Sequence, residues 1–147
     1  MEKHSYVEHI VHHDVLCAVV LRAQQVKDFG DSEIKTNFFT PDSFPFQLGL
    51  QNRFNGEQVA AHFHKPLLGI ASLPVQEFLY VLSGKARVDL YNVQDRTKVG
   101  EVILATGDSI ILNTGHEVTF LEDTKLLNLK QGPYRGRDEE KIFIDSR

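Results

Sequence analysis

Short runs of alternating hydrophobic and polar residues, separated by turn residues, extend through most of this chain. In Lys85–Tyr91 the hydrophobic residues Ala86, Val88 and Leu90 alternate with charged or polar neighbours. A period of two places such side chains on one face of a β-strand. Similar runs predict strands at residues 33–40, 46–54, 59–64, 77–82, 99–105, 109–112, 117–121 and 125–130.

One hydrophobic run is ambiguous. Residues 15–26, VLCAVVLRAQQV, fit either a strand or a short helix. Further along, Asn55-Gly56 closes the run at 46–54 and is a strong hairpin signal. Many short strands without a long helical pattern predict an all-β fold, a sandwich or barrel with little helix.

The length of 147 residues is enough for one domain with a hydrophobic core. We expect a single domain over residues 1–147, with its N-terminal strands at 15–54. The tail at 132–147 is charged, apart from an apolar island at 142–144 that we expect to pack against the domain.

Composition and charge narrow the classes of partner. There are 16 Lys and Arg against 20 Asp and Glu, and this net charge of -4 argues against nucleic acid and anionic membranes. No apolar run is long enough for a membrane helix, and the start lacks the pattern of a signal peptide. The single cysteine, Cys17, lies in an apolar run typical of a small buried hydrophobe. We therefore expect a soluble, cytoplasmic protein with a small-molecule ligand.

Two histidines one residue apart, His62 and His64, are the first candidates for chemistry. On a strand their side chains share one face, while Phe63 takes the other. Two adjacent imidazoles form half of a metal site. On a helix His9 and His13 could also chelate, but no framework of carboxylates or cysteines surrounds them, and a frayed, solvated terminus is expected there.

Glu77 and His116 are the residues that could complete such a site. Glu77 begins a strand in which it shares a face with Leu79 and Val81, so its carboxylate would need a partner if buried. Taken alone, it fits a solvated residue at the edge of the strand as well. His116 follows a turn and an apolar strand, where a histidine is more often a surface or loop residue.

The spacing of these residues resembles the motifs of the cupin superfamily, which are small jelly-roll barrels. The first cupin motif is glycine, five residues, His-x-His, a gap, glutamate, six residues and glycine. Its counterparts here are Gly56, His62, His64, Glu77 and Gly84. The second motif also begins with glycine and is matched from Gly107 to His116, so the matched core spans residues 56–116.

The resemblance implies a barrel that holds one divalent ion, with Fe, Mn, Ni or Zn as candidates. The implied metal ligands are His62, His64, Glu77 and His116. The chain departs from the family pattern in two places. A gap of 12 residues separates His64 from Glu77, where the family has a short one. His116 also stands two positions before Val118, where the last family histidine falls.

The resemblance also implies a ligand that is sugar-related or anionic, as in small cupins of sugar and surface-polysaccharide metabolism. The candidate enzyme types are a metal-dependent oxygenase and a sugar isomerase or epimerase. One alternative is a non-catalytic module that binds or senses a small ligand, because no general base is evident beyond the metal ligands. Another is a structural metalloprotein whose ion only stabilises the barrel. The apolar loop 65–76 fits packing, at a dimer contact or against the outside of the barrel, and it also fits a lid beside the metal site. The packing interpretation is preferred, and together with the outward residues Phe78, Tyr80 and Leu82 it indicates a homodimer.

Overall fold

A computed structural model of the chain describes residues 6–52, 54, 57, 58, 60, 62, 75–131, 138 and 141–144. Within this part of the chain there are ten β-strands and one α-helix, so the all-β expectation is confirmed. The strands are β1 (Glu8–His12), β2 (Val15–Leu21), β3 (Thr36–Phe38), β4 (Gly49–Gln51), β5 (Glu77–Ser83), β6 (Lys85–Tyr91), β7 (Lys98–Ala105), β8 (Ser109–Leu112), β9 (Gly115–Phe120) and β10 (Lys125–Lys130). The helix α1 spans Ala23–Gly30. No helix in the described ranges is long and apolar enough to cross a membrane.

Two antiparallel sheets face each other and enclose the main core. The larger sheet has the strand order β1-β2-β8-β5-β10, the smaller has β7-β6-β9, and β3 pairs with β4 separately. None of these sheets closes on itself within the described residues, and the jelly-roll topology stays a prediction. Both sheets contribute alternate side chains to the core, which consists of Cys17, Ala18, Val20, Leu79, Val81, Val88, Leu90, Val102, Leu104, Ile110 and Leu112.

The alternation in β6 shows how one strand supplies a face to this core. Ala86, Val88 and Leu90 are buried, as a period of two predicts. Burial of each large side chain of this kind stabilises the fold by about 1.5–3 kcal/mol. Asp89, on the opposite face, forms an ion pair with Lys98 at 2.8 Å. One face of β6 is therefore apolar and the other is charged or polar. A shift of the strand register by one residue would exchange the two faces and place charged side chains in the core.

The run at 15–26, which fitted either a strand or a short helix, contains part of each. The strand β2 ends at Leu21, and the helix α1 begins at Ala23. β2 is buried on both faces. Val19 and Leu21 point away from the main core and belong to a second cluster, against which Phe39 and Leu50 of the β3–β4 region pack. Burial on both faces explains why this strand is continuously apolar.

The N-terminal segment forms an edge strand, where a frayed terminus was expected. β1 pairs with β2 through a two-residue turn at His13 and Asp14, whose φ angles are 44° and 62°. Two positive φ angles in sequence are typical of a type I′ hairpin turn. The strands of this region therefore begin at Glu8, before the predicted start at residue 15.

The remaining strand predictions differ in accuracy along the chain. Those at 85–91, 109–112 and 125–130 match the structure residue for residue. Those at 33–40 and 46–54 shrink to three-residue strands, because Pro41 and Pro45 lie between them and lack the N–H groups that a longer ladder needs. The Asn55-Gly56 turn lies outside the described residues. So does most of the predicted strand at 59–64, of which Ala60 and His62 are described and lie in no strand.

Candidate functional site

Glu77, the first residue of β5, faces the space between the two main sheets. Leu79 and Val81 share its strand face and are buried in the core. Glu77 lies at the rim of this core, where its side chain keeps 21% exposure. A carboxylate in such a half-buried position requires hydrogen-bonding or charged partners.

His116, in β9, faces the same space from the smaller sheet. In the β6–β9 ladder His116 is opposite Leu90, and Val118 is opposite Val88. Directly opposed residues in an antiparallel pair have their side chains on one face, and both β6 residues belong to the core. His116 and Val118 are therefore both on the inward face of their strand. The early position of His116 in the second motif does not turn it away from the interior.

The side chains of Glu77 and His116 meet between the two sheets. His116 Nε2 lies 2.9 Å from Glu77 Oε2. The other carboxylate oxygen, Oε1, accepts a hydrogen bond of 2.6 Å from Asn128 Nδ2 on β10. His116 Nδ1 lies 3.1 Å from the carbonyl oxygen of Thr114, and since a carbonyl only accepts, Nδ1 carries a hydrogen. Both members of the pair are thus oriented by a third group.

This contact favours the charged form of each group. The hydrogen bond from His116 lowers the pKa of Glu77; burial opposes this effect, and Asn128 adds to it. Burial lowers the pKa of His116, but the hydrogen bonds to Glu77 and to the Thr114 carbonyl outweigh burial, and the pKa is raised. Between these two pKa values the pair is a carboxylate and an imidazolium.

The pair lies on the wall of a cleft of about 1320 Å³ beside the edge strands β9 and β10. Lys130 is opposite Glu77 in the β5–β10 ladder and shares its inward face. Lys141, from the tail, also lines the cleft. The charge of Lys130 lowers the pKa of Glu77, and that of Lys141 opposes protonation of His116. Two ammonium groups therefore act on the pair.

The apolar island of the tail forms another part of the wall. Ile144 is partly buried and lies close to Gly115, where an added Cβ would be 3.2 Å from its Cδ1 atom. Ile142 and Phe143 also line the cleft, but they remain 84% and 54% exposed. The expectation that the island packs against the domain is confirmed for Ile144.

Of the four implied metal ligands, the structure brings two together, Glu77 and His116. His62 is exposed, with Nδ1 at 2.7 Å from the carbonyl oxygen of Ala60. His64 lies outside the described residues. Among the residues that are described, no three His, Cys, Asp or Glu side chains form a group that could hold a metal ion. The four-ligand set remains a prediction.

Asn128 and Lys130 are not among the residues predicted for the site, although both belong to the predicted strand at 125–130. Leu126 packs against the main core. In the KLLNLK run, Asn128 and Lys130 follow at intervals of two and so share its inward face. Polar residues at the inward-facing positions after an apolar one could have indicated these two residues. Such polar residues mark the point on a strand where the core ends and the site begins.

A buried amide network holds the strand ends next to the pair. Gln76 is fully buried; its Nε2 donates to Asn113 Oδ1 at 2.9 Å, and its backbone N–H donates to Gln131 Oε1 at 2.8 Å. Asn113 Nδ2 in turn donates to the carbonyl of Leu16 at 3.0 Å. These bonds tie the residue before Glu77 to the ends of β8 and β10 and to β2.

Cys17 has no part in this chemistry. It is buried in the main core, and burial raises the pKa of its thiol. A raised pKa disfavours the reactive thiolate. The expectation that Cys17 is a small buried hydrophobe is confirmed.

Comparison with known proteins adds no relative from which a role could be transferred. No family model, no curated protein and no solved structure matches this chain.

Proposed function

We propose that this protein is a cupin-type metal-binding protein that binds a small molecule in the cleft beside Glu77 and His116. One observation carries the proposal. A carboxylate and an imidazole from different sheets turn inward to the same point and lie 2.9 Å apart on the wall of the cleft. Such a pair, oriented by other groups at the edge of a core, is typical of a functional site.

The two side chains fit a divalent ion. Histidines that bind metals usually donate their second ring N–H to a carbonyl or carboxylate, as His116 does to Thr114. This bond directs Nε2 toward Glu77, whose other oxygen is held by Asn128. Imidazole and carboxylate donors together suit Fe, Mn, Ni and Zn. The atoms that would coordinate are thus His116 Nε2 and Glu77 Oε2.

His62 and His64 are the further ligands that the cupin resemblance implies. His62 places Nδ1 against a backbone carbonyl two residues earlier, the same arrangement that His116 has. When bound, a divalent ion would supply a positive centre that attracts an anionic ligand. Asn128 would keep the Glu77 carboxylate in place, and Lys130 would strengthen the positive field of the cleft.

Two enzyme types agree with this proposal, a metal-dependent oxygenase and a sugar isomerase or epimerase. Both require coordination positions left open for the substrate. A second candidate, a non-catalytic binding or sensing module, is favoured by the pair itself. Glu77 and His116 satisfy each other's charge, and Asn128 and Thr114 complete their hydrogen bonds. The pair therefore needs no metal ion to complete its charge and hydrogen bonds.

Elemental analysis of the purified protein, after incubation with each candidate metal and removal of the excess, tests the proposal. We expect about one ion per chain, and loss of that ion in His62→Ala, His64→Ala, Glu77→Gln and His116→Gln. The matched control is His9→Ala, on the edge strand β1, which should keep the ion. If the wild-type protein binds none of these metals, the proposed metal binding is wrong, and the non-catalytic binding or sensing module is the candidate that remains.

The proposed homodimer is supported by the outer face of β5 and β10. Leu82, Leu127 and Leu129 are each more than half exposed there, and Leu127 and Leu129 are opposite Tyr80 and Phe78 in the ladder. Apolar patches of this kind on a sheet face are typical of subunit contacts. Sedimentation of wild-type and Leu127→Glu protein tests it, since the variant should be monomeric.

A further inference from the structure

The tail residues 141–144 border the cleft at the start of β9, the strand that carries His116. All four of them line the cleft together with Glu77 and His116. The charge of Lys141 is close enough to His116 to oppose its protonation. The tail therefore lies next to the side chains of the proposed site.

The two edges of the sandwich are closed in different ways. At one edge Arg22 pairs with Glu8 of β1 at 2.9 Å and donates to the carbonyl oxygen of Ile103 in β7 at 2.5 Å. A side chain of the main fold thus joins the two sheets there. At the other edge β9 and β10 border the cleft, and the tail residues form part of its wall.

Ile144 fixes the tail at a seat formed by Gly115 and Tyr91. A Cβ atom added at Gly115 would lie 3.2 Å from Ile144 Cδ1 and 3.3 Å from Tyr91 Cβ, closer than ordinary van der Waals contact. Gly115 does not belong to the described glycines with a positive φ, which are Gly84 and Gly107. Its backbone therefore does not require glycine. The absence of a side chain instead leaves the space that Ile144 fills.

The other apolar residues of the tail are buried less. Ile144 is partly buried, whereas Ile142 is 84% exposed. Phe143 is 54% exposed and has a further interaction within the fold. Few buried apolar contacts are typical of segments that open locally while the rest of the fold stays intact. The seat of Ile144 is therefore the contact whose loss would release the segment.

We propose that residues 141–144 form a strap that controls access to the Glu77–His116 pair, with Ile144 seated at Gly115 in the closed state. When Ile144 leaves the seat, the strap moves away from β9 and opens the cleft to a ligand or a metal ion. This regulation rests on the proposed site at Glu77 and His116. The position of the strap itself is testable in metal-free protein.

Hydroxyl-radical footprinting of metal-free protein, with oxidation of each side chain measured by mass spectrometry, tests the strap. Ile144→Ser removes the apolar contact with the seat. The His116 side chain is 27% exposed in the closed state. We expect its oxidation to rise by about twofold or more when the strap is released. Gly115→Ala should have the same effect, because the added Cβ takes up the seat.

The matched control is Ile142→Ser, in the same segment but already exposed to water, which should leave the oxidation of His116 as in the wild type. Cys17 is buried in the core and should stay protected in every variant. If Ile144→Ser exposes Cys17, the milder Ile144→Ala takes its place. Equal oxidation of His116 in the Ile144 variant and the wild type would overturn the strap. An equal rise in Ile142→Ser would overturn the role of the seat.

Metal release separates this inference from the proposed function. In protein that holds an ion, Ile144→Ser should transfer it to a coloured chelator faster than the wild type, and Ile142→Ser should match the wild type. Equal release rates together with increased oxidation of His116 would show a strap that does not control access, and would overturn the regulation. A wild type that binds no metal refutes metal binding, yet the footprint of His116 still decides whether the strap exists.

Discussion

Two regions of the molecule use a carboxylate in different ways: the partners of Asp108 include backbone N–H groups, whereas those of Glu77 are side chains. At the turn between β7 and β8, Asp108 accepts hydrogen bonds from the backbone N–H groups of Ala23 and Ala105 at 3.0 and 2.9 Å. It also pairs with Arg22 at 3.2 Å and is only 8% exposed. The Asp108 carboxylate therefore fixes the backbone at the start of α1 and at the end of β7.

Glu77 differs because both of its partners are side chains. His116 and Asn128 come from two other strands, and the group faces a cleft lined by Lys130. Side-chain partners can move or exchange for a ligand without the loss of a backbone hydrogen bond. We therefore predict that Asp108 serves mainly the stability of the fold and Glu77 mainly the proposed site, and substitutions should separate the two.

The largest effect on stability is expected for Asp108→Ala. The change leaves two backbone N–H groups without their acceptor and removes one of the two carboxylates that pair with Arg22, the other being Glu8. This should cost about 2–4 kcal/mol. Urea denaturation monitored by circular dichroism gives the free energy of unfolding. Metal content per folded chain should stay as in the wild type. A cost below about 1 kcal/mol would contradict the structural role of Asp108.

Glu77→Gln should give the opposite result. The amide keeps an oxygen for Asn128 but loses the negative charge, so the affinity for a metal ion should fall by at least about 100-fold, which is the upper end of the effect of losing an outer-shell partner. Because Glu77 is partly exposed, the free energy of unfolding should change by less than about 1 kcal/mol. Competition with a coloured chelator measures the affinity. If stability falls as far as in Asp108→Ala, the distinction between the two carboxylates is wrong.

A smaller effect is expected for Asn128→Ala, which removes the group that orients Glu77. Metal affinity should fall about tenfold, because the carboxylate keeps its charge and loses only its fixed orientation. The control is Leu129→Ala, in the same strand on the opposite, exposed face. An equal loss of affinity in both variants would point to damage to β10 instead of to the orientation of Glu77.

The smallest effect is a pH dependence of stability in metal-free protein. The lowered pKa of Glu77 means that its contribution is present above the ordinary carboxyl pKa and is lost as pH falls through the lowered value. The raised pKa of His116 means that its contribution is present below the ordinary imidazole pKa and is lost as pH rises through the raised value. The pair should therefore stabilise the fold most between roughly pH 4.5 and 6.5.

This contribution should be under about 1 kcal/mol, because both side chains keep some contact with water. Guanidinium midpoints measured against pH in a chelator would detect it as a shallow maximum. His116→Gln should flatten that maximum, whereas His9→Gln should preserve it. If the pH profile of the midpoint is the same in His116→Gln and the wild type, the Glu77–His116 pair is not the cause of the maximum.

Local patterns predicted the second half of the fold well. β6 and β10 match the predicted strands residue for residue. In β6 the apolar face lies in the core and alternates with charged or polar residues, so the period of two is easily recognised. The patterns were weaker for β2, whose two buried faces abolish alternation. They failed for β1, because its short turn at His13 and Asp14 contains no glycine to indicate a hairpin.

The sequence by itself determined the β-rich class, the inward face of β5, and the choice of Glu77 and His116 as candidates. Only the tertiary structure decided that these two side chains meet, and that Asn128 and Lys130 join them. The physical reason is that alternation assigns a side chain to a face of its own strand. Which residues face each other across two sheets depends on register and on how the sheets pack, and both follow from contacts that are distant along the chain.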